Sequence, residues 1–301
     1  MHADIYSPLQ QLKYPSRTQI LIKRDDLIDP YVSGNKWRKL KYILKRAVEL
    51  KKSRVVTFGG AYSNHLVATA AACARHGLTS TAFVRGDEIA PDGSPLNEML
   101  LLCKLFGMSL IFTSREQYRD KQLLFDQYFG NDKDAYFVDE GGASAEAVKG
   151  CAEIIDEIIV DSPESITHLF CAAGTGTTAA GLLKGIHVNG LKTMLHVVPV
   201  LKGGDFIADE LFKYAGSTEQ LVLHNDYHFG GYAKTQPVLL EYIKAFASQE
   251  GILIDPVYTA KLFYAIDDLI SKGYFNKSDK IVALHTGGLL GIMGMKHRFQ
   301  F

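Results

Sequence analysis

The chain has 301 residues, of which 47% are hydrophobic and 22% charged, as expected for a globular protein of one large or two ordinary domains. Its 33 lysines and arginines balance its 33 aspartates and glutamates. This neutral composition gives no electrostatic footprint for nucleic acid or an anionic membrane, so we expect neither as a partner.

The first ten residues, MHADIYSPLQ, lack the basic and apolar regions of a secretory signal, and no apolar stretch is long enough to span a bilayer. The cysteines form no CxxC pair, and each lies in an apolar or helical context: Cys73, Cys103, Cys151 and Cys171. We therefore expect buried free thiols, no metal site, and a reducing compartment, namely the cytoplasm.

Short apolar runs alternate with helical patterns along the chain. The predicted strands are, in chain order, Arg54–Phe58, Thr81–Val84, Leu110–Phe112, Tyr136–Val138, Thr167–Cys171, Met194–Val198 and Lys280–Leu284. Helical patterns follow most of them, including Ser63–His76 and Pro95–Phe106. Strands that alternate with helices are typical of parallel sheets covered on both faces, and continuous apolar strands fit burial on both sides. The alternation is dense enough to predict an α/β fold with two sheets.

Glycine-rich turns follow several of these strands and precede helices. They are Gly59-Gly60, Gly141-Gly142, Gly174-Thr175-Gly176 and Gly287-Gly288. In folds of this kind the ligand binds beyond the carboxyl ends of the strands. One such turn could be a tight connection, whereas the repetition suggests a shared binding rim.

A basic segment, SGNKWRKL, opens a predicted helix whose apolar face is formed by Leu40, Ile43, Leu44 and Ala47. Lys36 lies in the first turn, where a lysine is unfavourable for the helix dipole, and Lys39 lies one turn later. One interpretation is a solvated basic face. The other is a lysine amine for a Schiff base, with a second cation for a phosphate.

A second motif, GTGTTAAG, lies between a predicted strand and a helix. Its glycines let backbone amides approach an anion, and the helix start and hydroxyls add positive potential and donors. The motif is not a Walker loop, but it satisfies the dinucleotide pattern GxGxxA. The next strand, MLHVVPV, ends without the acidic residue that would bind a ribose, so a phosphate ligand fits better than NAD. A tight strand–helix turn is the alternative.

Three shorter motifs supply further candidates. In GGAYSNH, Ser63 is a plausible N-cap, and Asn64 and His65 fall in the first turn of a helix that could bind a substrate carboxylate. In DPVYT, Tyr258 opens a helical segment, where packing is the usual role. In HTGG, Thr286 ends an apolar strand and could cap the following helix.

The order of these motifs is more specific than any one of them. The chain resembles the D-cysteine desulfhydrase / 1-aminocyclopropane-1-carboxylate (ACC) deaminase family, which belongs to the tryptophan synthase β-like enzymes that use pyridoxal phosphate (PLP). The resemblance runs from Arg24-Asp25-Asp26 to HTGG, nearly the whole chain, through GNKWRKL, GGAYSNH, EGGAS, GTGTTAAG, GGYAK and DPVYT. The family often has glutamine before Ser-Asn, where this chain has Tyr62.

The resemblance implies a role for each of these positions. The catalytic residues would be Lys36, Ser63 and Tyr258. The cofactor contacts would be Lys36, Lys39, Asn64, Gly174, Thr175, Gly176, Thr177, Thr178 and Thr286. The substrate contacts would be Ser63, Asn64, His65, Tyr258 and Thr259.

Within that set, Lys36 corresponds to the lysine that carries PLP as a Schiff base. Ser63 corresponds to the serine for the substrate carboxylate and proton transfer, and Asn64 to the partner of the pyridine 3-oxygen. Residues 259 and 286 would lie around the pyridine nitrogen.

The implied architecture is the tryptophan synthase β-like PLP fold, with two three-layer domains built on mainly parallel sheets. The large domain would comprise residues 1–50 and 161–301, and the small domain residues 51–160. A homodimer is also implied, with a small amino acid as the substrate.

The implied chemistry is β-elimination and deamination, in which PLP is the electron sink and the products are a 2-oxo acid and ammonia. ACC deaminases resemble one another in having glutamate, leucine and glutamine where this chain has Thr259, Thr286 and His65. We therefore expect a D-cysteine desulfhydrase-like activity that yields pyruvate, sulfide and ammonia. The alternatives are deamination of ACC to 2-oxobutanoate and a PLP-binding homologue without turnover. Retention of Lys36, Ser63 and Tyr258 argues against the latter.

Overall fold

The computed structural model describes residues 6–13, 17, 20–86, 96–162 and 165–300. The chain divides into two compact units, a shorter one, Lys36–Ala147, and a longer one formed by Met1–Asn35 with Val148–Phe301. The domain limits expected from the resemblance differ from these units, because they place residues 36–50 in the large domain rather than in the small one. Those limits remain a prediction.

The shorter unit is built on a parallel sheet. Its strands are β3 (Arg54–Gly60), β4 (Thr79–Arg85), β5 (Ser109–Thr113) and β6 (Ala135–Phe137), in the spatial order β5-β4-β3-β6. Its helices are α1 (Asn35–Glu49), α2 (Asn64–Arg75), α3 (Glu98–Leu105) and α4 (Lys121–Phe129), and α1 begins one residue before the unit itself. Because parallel strands need a crossover between them, α2, α3 and α4 connect the four strands in chain order, whereas α1 precedes β3.

Apolar packing fixes this sheet. Phe58 of β3 lies opposite Phe83 of β4, and their rings stack with centroids 5.1 Å apart. The predicted apolar face of α1 is confirmed, since Leu40, Ile43, Leu44 and Ala47 are all buried. The helix predicted from Pro95 begins at Glu98, because the side chain of Asn97 accepts the N–H of Leu100 and caps it. Pro95 itself lies outside the described residues.

The longer unit is built on a six-stranded sheet. Its strands are β1 (Leu9–Gln11), β2 (Ile20–Lys23), β7 (His168–Ala173), β8 (Met194–Pro199), β9 (Leu221–Leu223) and β10 (Ile281–Leu284), in the order β1-β2-β10-β7-β8-β9. Its helices are α5 (Ala145–Asp161), which begins within the last residues of the shorter unit, α6 (Thr177–Val188), α7 (Phe206–Ala215), α8 (Pro237–Glu250) and α9 (Thr259–Ser271), followed by a 3-10 helix at Leu289–Arg298. The pairing of β1 with β2 is antiparallel, and the other described pairings are parallel.

Both faces of this second sheet are buried. Along β7, Leu169 and Cys171 pack into one apolar cluster, whereas Phe170 and Ala172 pack into the other. Alternating burial of this kind is what a strand covered by helices on both sides requires. The predicted α/β fold with two mainly parallel sheets is therefore confirmed.

The cysteines are buried and free, as predicted. Burial raises the pKa of both the Cys73 and the Cys103 thiol to about 12, which leaves these groups protonated and unreactive at neutral pH. Among the described residues, no helix is both long and apolar enough to cross a membrane, and no group of three metal-ligating side chains comes together.

All the predicted strands are present, with ends that shift by one or two residues. β1, β2 and β9 were not predicted.

Candidate active site

In the longer unit, the turn between β7 and α6 has the features of an anion site. Gly176 is the N-cap of α6 with φ +81°, a conformation that strains any residue with a Cβ. The hydroxyls of Thr175 and Thr177 lie 3.0 Å apart at the same helix start. The first-turn amides of a helix have no partner within the helix, and together with these hydroxyls they form a donor set suited to a phosphate.

Two neighbours define the shape of this turn. A Cβ on Gly174 would come within 3.4 Å of the ring of Tyr258, so glycine preserves the space beside that ring. Gly181, the last residue of GTGTTAAG, lies against the side chain of Cys151 on α5, where a Cβ would clash. The motif therefore combines open space beside the Tyr258 ring with a close contact between helices α5 and α6.

The segment that leads into α1 is hydrogen-bonded to the end of β10 and to the start of α6. The backbone N–H of Asn35 donates to the Thr286 carbonyl at 3.2 Å, and its side-chain amide donates to the Thr178 hydroxyl at 3.0 Å. Gly34, with φ +57°, lies so close to the same carbonyl that a Cβ would clash with it. Lys36 is the next residue in the chain.

His285 orders the turn that carries Thr286. Its ring Nδ1 accepts the N–H of Gly287 at 3.2 Å, so its proton lies on Nε2 and is donated to the Leu253 carbonyl at 2.7 Å. The N–H of Gly288 donates to the Ser33 hydroxyl at 3.3 Å. The helix after Gly288 has no side-chain cap, so Thr286 does not serve the capping role considered from the sequence.

The start of α9 is held by a buried carboxylate. Asp255 accepts the N–H groups of Val257, Tyr258 and Thr259 at 2.8 to 3.0 Å. The Thr259 hydroxyl donates to the same carboxylate at 2.8 Å and accepts the Asp255 N–H at 2.7 Å. Because the hydroxyl proton of Thr259 is already used, this residue has no proton to donate to a ring nitrogen. The geometry favours an anchoring role for Thr259 over a substrate contact.

In the shorter unit, Lys39 and His65 come together around the Gly141-Gly142 turn. The Lys39 ammonium is buried and donates to the Gly141 carbonyl at 3.1 Å. A Cβ on Gly142 would lie 3.5 Å from the ring of His65 and 3.7 Å from the chain of Lys39. The turn at residues 141–142 thus leaves room for both side chains.

The hydrogen bonds of His65 determine its tautomer. The Thr57 hydroxyl donates its proton to the Val138 carbonyl at 2.9 Å, so it must accept from His65 Nε2 at 2.8 Å. The proton of the imidazole is therefore on Nε2. The other nitrogen, Nδ1, is buried and has no hydrogen-bond partner among the described residues.

The electrostatics of this group keep His65 neutral. Burial lowers the pKa of His65 well below its ordinary value, and the charges of Lys36 and Lys39 lower it further. A buried lone pair without a partner is costly, so Nδ1 is an acceptor suited to a ligand that donates a proton.

Lys36, Ser63 and Asn64 lie at helix starts, as predicted. Lys36 is the second residue of α1, and Asn64 is the first residue of α2. Ser63 is the N-cap of α2 by position, but its side chain makes no capping hydrogen bond. The capping explanation of Ser63 is therefore wrong, which leaves its functional assignment as a prediction.

The predicted site residues thus form two groups. The longer unit brings together Gly174, Tyr258, Thr178 and Thr286, with Asn35 beside the last two. The shorter unit brings together Lys39 and His65, with the charge of Lys36 acting on His65. Asp255, Lys261 and Thr57 were not among the residues predicted from the sequence. For Asp255 and Lys261, the available indication was a charged residue in or just after the DPVYT motif, beside a predicted helix start.

The donor set fits PLP. The glycine turn and the hydroxyls of α6 suit a phosphate, and the space that Gly174 preserves beside an aromatic ring suits a planar ligand. Lys36 is the amine that the resemblance assigns to such a cofactor, and this assignment remains a prediction.

Comparison with known proteins agrees with this chemistry. Residues 3–287 match the family model described as "Pyridoxal-phosphate dependent enzyme". The chain is therefore a pyridoxal-phosphate-dependent enzyme of the α/β type, as its fold and donor set indicate. Within that class, it belongs to the ACC deaminase / D-cysteine desulfhydrase family of lyases and deaminases.

Two relatives and one solved structure illustrate the likeness. A putative ACC deaminase of Thermotoga maritima is 33% identical, covering 97% of this chain and 96% of that protein. A D-cysteine desulfhydrase of Salmonella paratyphi A is 31% identical, covering 94% and 91%. The crystal structure of an ACC deaminase homologue superposes with a TM-score of 0.84 at 30% identity, covering 97% and 92%.

Proposed function

We propose that the protein eliminates the β-substituent of a small D-amino acid, with D-cysteine as the representative substrate and pyruvate, sulfide and ammonia as the products. The observation that carries this proposal is the bonding of Asn35 to Thr178 and Thr286, because it ties the residue before Lys36 to the anion turn and to the end of β10. We propose that PLP is bound at Lys36, with its phosphate at Gly174–Thr178 and Lys39.

PLP, when bound, supplies the electron sink that allows the α-carbon to lose a proton. We assign that proton to the amine of Lys36, and we assign the substrate carboxylate to the start of α2 at Ser63 and Asn64. Tyr258 lies beside Gly174, where its hydroxyl can act on the reacting part of the substrate. Thr286 is the hydroxyl proposed for the pyridine nitrogen, since the hydroxyl proton of Thr259 is donated to Asp255.

His65 favours a substrate that carries a donor near its β-carbon. Its Nδ1 is a neutral, buried acceptor without a partner among the described residues. A thiol offers an S–H donor to such a nitrogen, whereas the cyclopropane ring of ACC offers none. The names of the relatives include both ACC deaminase and D-cysteine desulfhydrase at similar identity, and therefore do not distinguish the two substrates. The unpaired acceptor of His65 is what supports the choice of D-cysteine.

The test is a comparison of two products from the purified, PLP-loaded protein. We expect pyruvate and sulfide from D-cysteine to form faster than 2-oxobutanoate from ACC at equal substrate concentration, with L-cysteine as the stereochemical control. A faster reaction with ACC would reject the substrate assignment. Absence of product from all three substrates, despite a spectral change when they are added, would favour a binding protein without turnover.

A further inference from the structure

A buried lysine near the start of α9 is bonded entirely to backbone carbonyls. Lys261 is fully buried, and its ammonium donates to the carbonyls of Val200, His228 and Gly231 at 3.1, 2.8 and 2.9 Å. These bonds use all three N–H donors of the ammonium. None of the three acceptors carries a formal charge.

The three carbonyls come from two separate segments of the chain. Val200 follows β8, whereas His228 and Gly231 belong to a loop in which Phe229 and Ala233 have φ near +50°. Residues with a Cβ are strained in this conformation, so the loop needs contacts that hold it. Partially negative oxygens that face one buried point repel one another unless a positive charge lies between them.

The environment of Lys261 keeps that charge available at neutral pH. Burial lowers the pKa of Lys261 to about 8, while the carboxylate of Asp255 raises it. A compact cage of carbonyl oxygens around a single charge is also the coordination that monovalent metal ions prefer in proteins. The cage therefore has the chemistry of a monovalent-cation site, filled here by a side chain.

The loop positions a second tyrosine beside Tyr258. Tyr232 follows Gly231, and its ring centroid lies 6.2 Å from that of Tyr258, with the two hydroxyls 3.4 Å apart. Arg298 holds the other side of the loop by donating to the Ala233 carbonyl at 3.2 Å and to the Thr235 hydroxyl at 3.0 Å. Loss of the charge at Lys261 would release the Gly231 carbonyl, which is next to Tyr232 in the chain.

We propose that the carbonyls of Val200, His228 and Gly231 form a monovalent-cation site occupied by the Lys261 ammonium, and that this internal cation is a positioning residue for Tyr232 and Tyr258. The second half of this inference rests on the proposed role of Tyr258 in turnover. The first half concerns the cage alone and does not depend on the substrate.

The test replaces the ammonium by an ion from solution. Lys261→Ala opens a space that leads to the three carbonyls, and Lys261→Met fills that space with an uncharged chain. The PLP-loaded variants are compared in potassium chloride and in tetramethylammonium chloride at equal ionic strength, since the larger ion cannot enter the cage. Lys272→Ala, which removes an exposed lysine of the same helix, is the matched control.

We expect Lys261→Ala in tetramethylammonium chloride to have a lower unfolding midpoint and at least about a tenfold lower kcat, with a smaller change in KM. Potassium should recover both quantities in Lys261→Ala, recover neither in Lys261→Met, and leave Lys272→Ala unchanged. Folding of Lys261→Ala only in potassium would support the proposal equally.

Two results would overturn the inference. One is native kcat and midpoint in Lys261→Ala without potassium, and the other is an impaired variant that behaves identically in both salts. If Lys261→Ala folds in neither salt, Lys261→Met decides. A native kcat in Lys261→Met would overturn the inference, and a lowered kcat with the cofactor absorbance retained would support the inference. The unfolding midpoint is measured without substrate, so it tests the cage independently of the reaction. If potassium raises the midpoint of Lys261→Ala but the native protein is inactive on D-cysteine, the proposed function is rejected and the cation site is supported.

Discussion

Two buried polar clusters, one in each unit, differ in how completely they are hydrogen-bonded. At the start of α9 in the longer unit, Asp255, Thr259 and Lys261 all have protein partners for their buried donors and acceptors. In the shorter unit, the cluster around His65 leaves Nδ1 without a partner among the described residues.

This difference distinguishes polar groups that stabilise the fold from polar groups that are available to a ligand. Buried polar groups are normally paired, because an unpaired one carries the full cost of its desolvation. A fully hydrogen-bonded network therefore stabilises the fold, whereas an acceptor without a partner is available to accept a hydrogen bond from a ligand. Substitutions in the α9 network should lower stability first, and substitutions at His65 should lower activity first.

The largest effect on stability is expected at Asp255. Asp255→Ala removes the acceptor of three backbone N–H groups and of the Thr259 hydroxyl, so we expect a loss of about 3 kcal/mol or more in the free energy of unfolding. Urea unfolding measures this quantity. Asp255→Asn keeps one carbonyl acceptor and should lose less. Equal stability of Asp255→Ala and the native protein would refute the view that this network is scaffold.

At His65 we expect a smaller loss of stability than at Asp255 and a larger loss of activity. His65→Gln keeps a donor for Thr57 and replaces the imidazole acceptor, so stability should change by less than about 1 kcal/mol. We expect kcat/KM for D-cysteine to fall about tenfold, the equivalent of one neutral hydrogen bond. Thr57→Val is the matched control, since it removes a satisfied bond and should lower stability. Unchanged kcat/KM in His65→Gln would show that Nδ1 does not face the substrate.

The smallest effect on stability is expected at Ser63. A serine that caps a helix contributes about 0.5 to 2 kcal/mol, but the Ser63 side chain makes no capping bond. Ser63→Ala should therefore unfold within about 0.5 kcal/mol of the native protein while losing most of its activity. Asn97→Ala is the control, because the Asn97 side chain does cap α3. A stability loss in Ser63→Ala that matches that control would restore the capping explanation.

The elements with long apolar runs could be predicted from the sequence. β4 contains the apolar run Ala82–Val84, β7 contains the apolar run Leu169–Ala173, and the apolar face of α1 recurs with the helical period, so each carries its own local pattern. β1 and β9 have three residues each, and each lies at an edge of its sheet, where it pairs with a single strand. Such pairing has no local pattern in the chain.

The same limit applies to the site. Lys36, Lys39 and the β7–α6 turn could be proposed from the sequence because their motifs are contiguous. The acceptors of Lys261 lie 61, 33 and 30 residues away in the sequence, so only the folded chain shows the cage. The bond from Thr57 to His65 spans eight residues, but the tautomer depends on Val138, 81 residues from Thr57.

Lys36 is the residue proposed to hold the cofactor. Borohydride reduction of the yellow, PLP-loaded protein, followed by digestion and mass spectrometry of the peptides, tests this proposal directly. We expect the reduced cofactor on the peptide position of Lys36, with Lys39 unmodified, and no covalent label in a folded Lys36→Ala variant. A label on Lys39 or on any other lysine, or the same label in Lys36→Ala, would contradict the account.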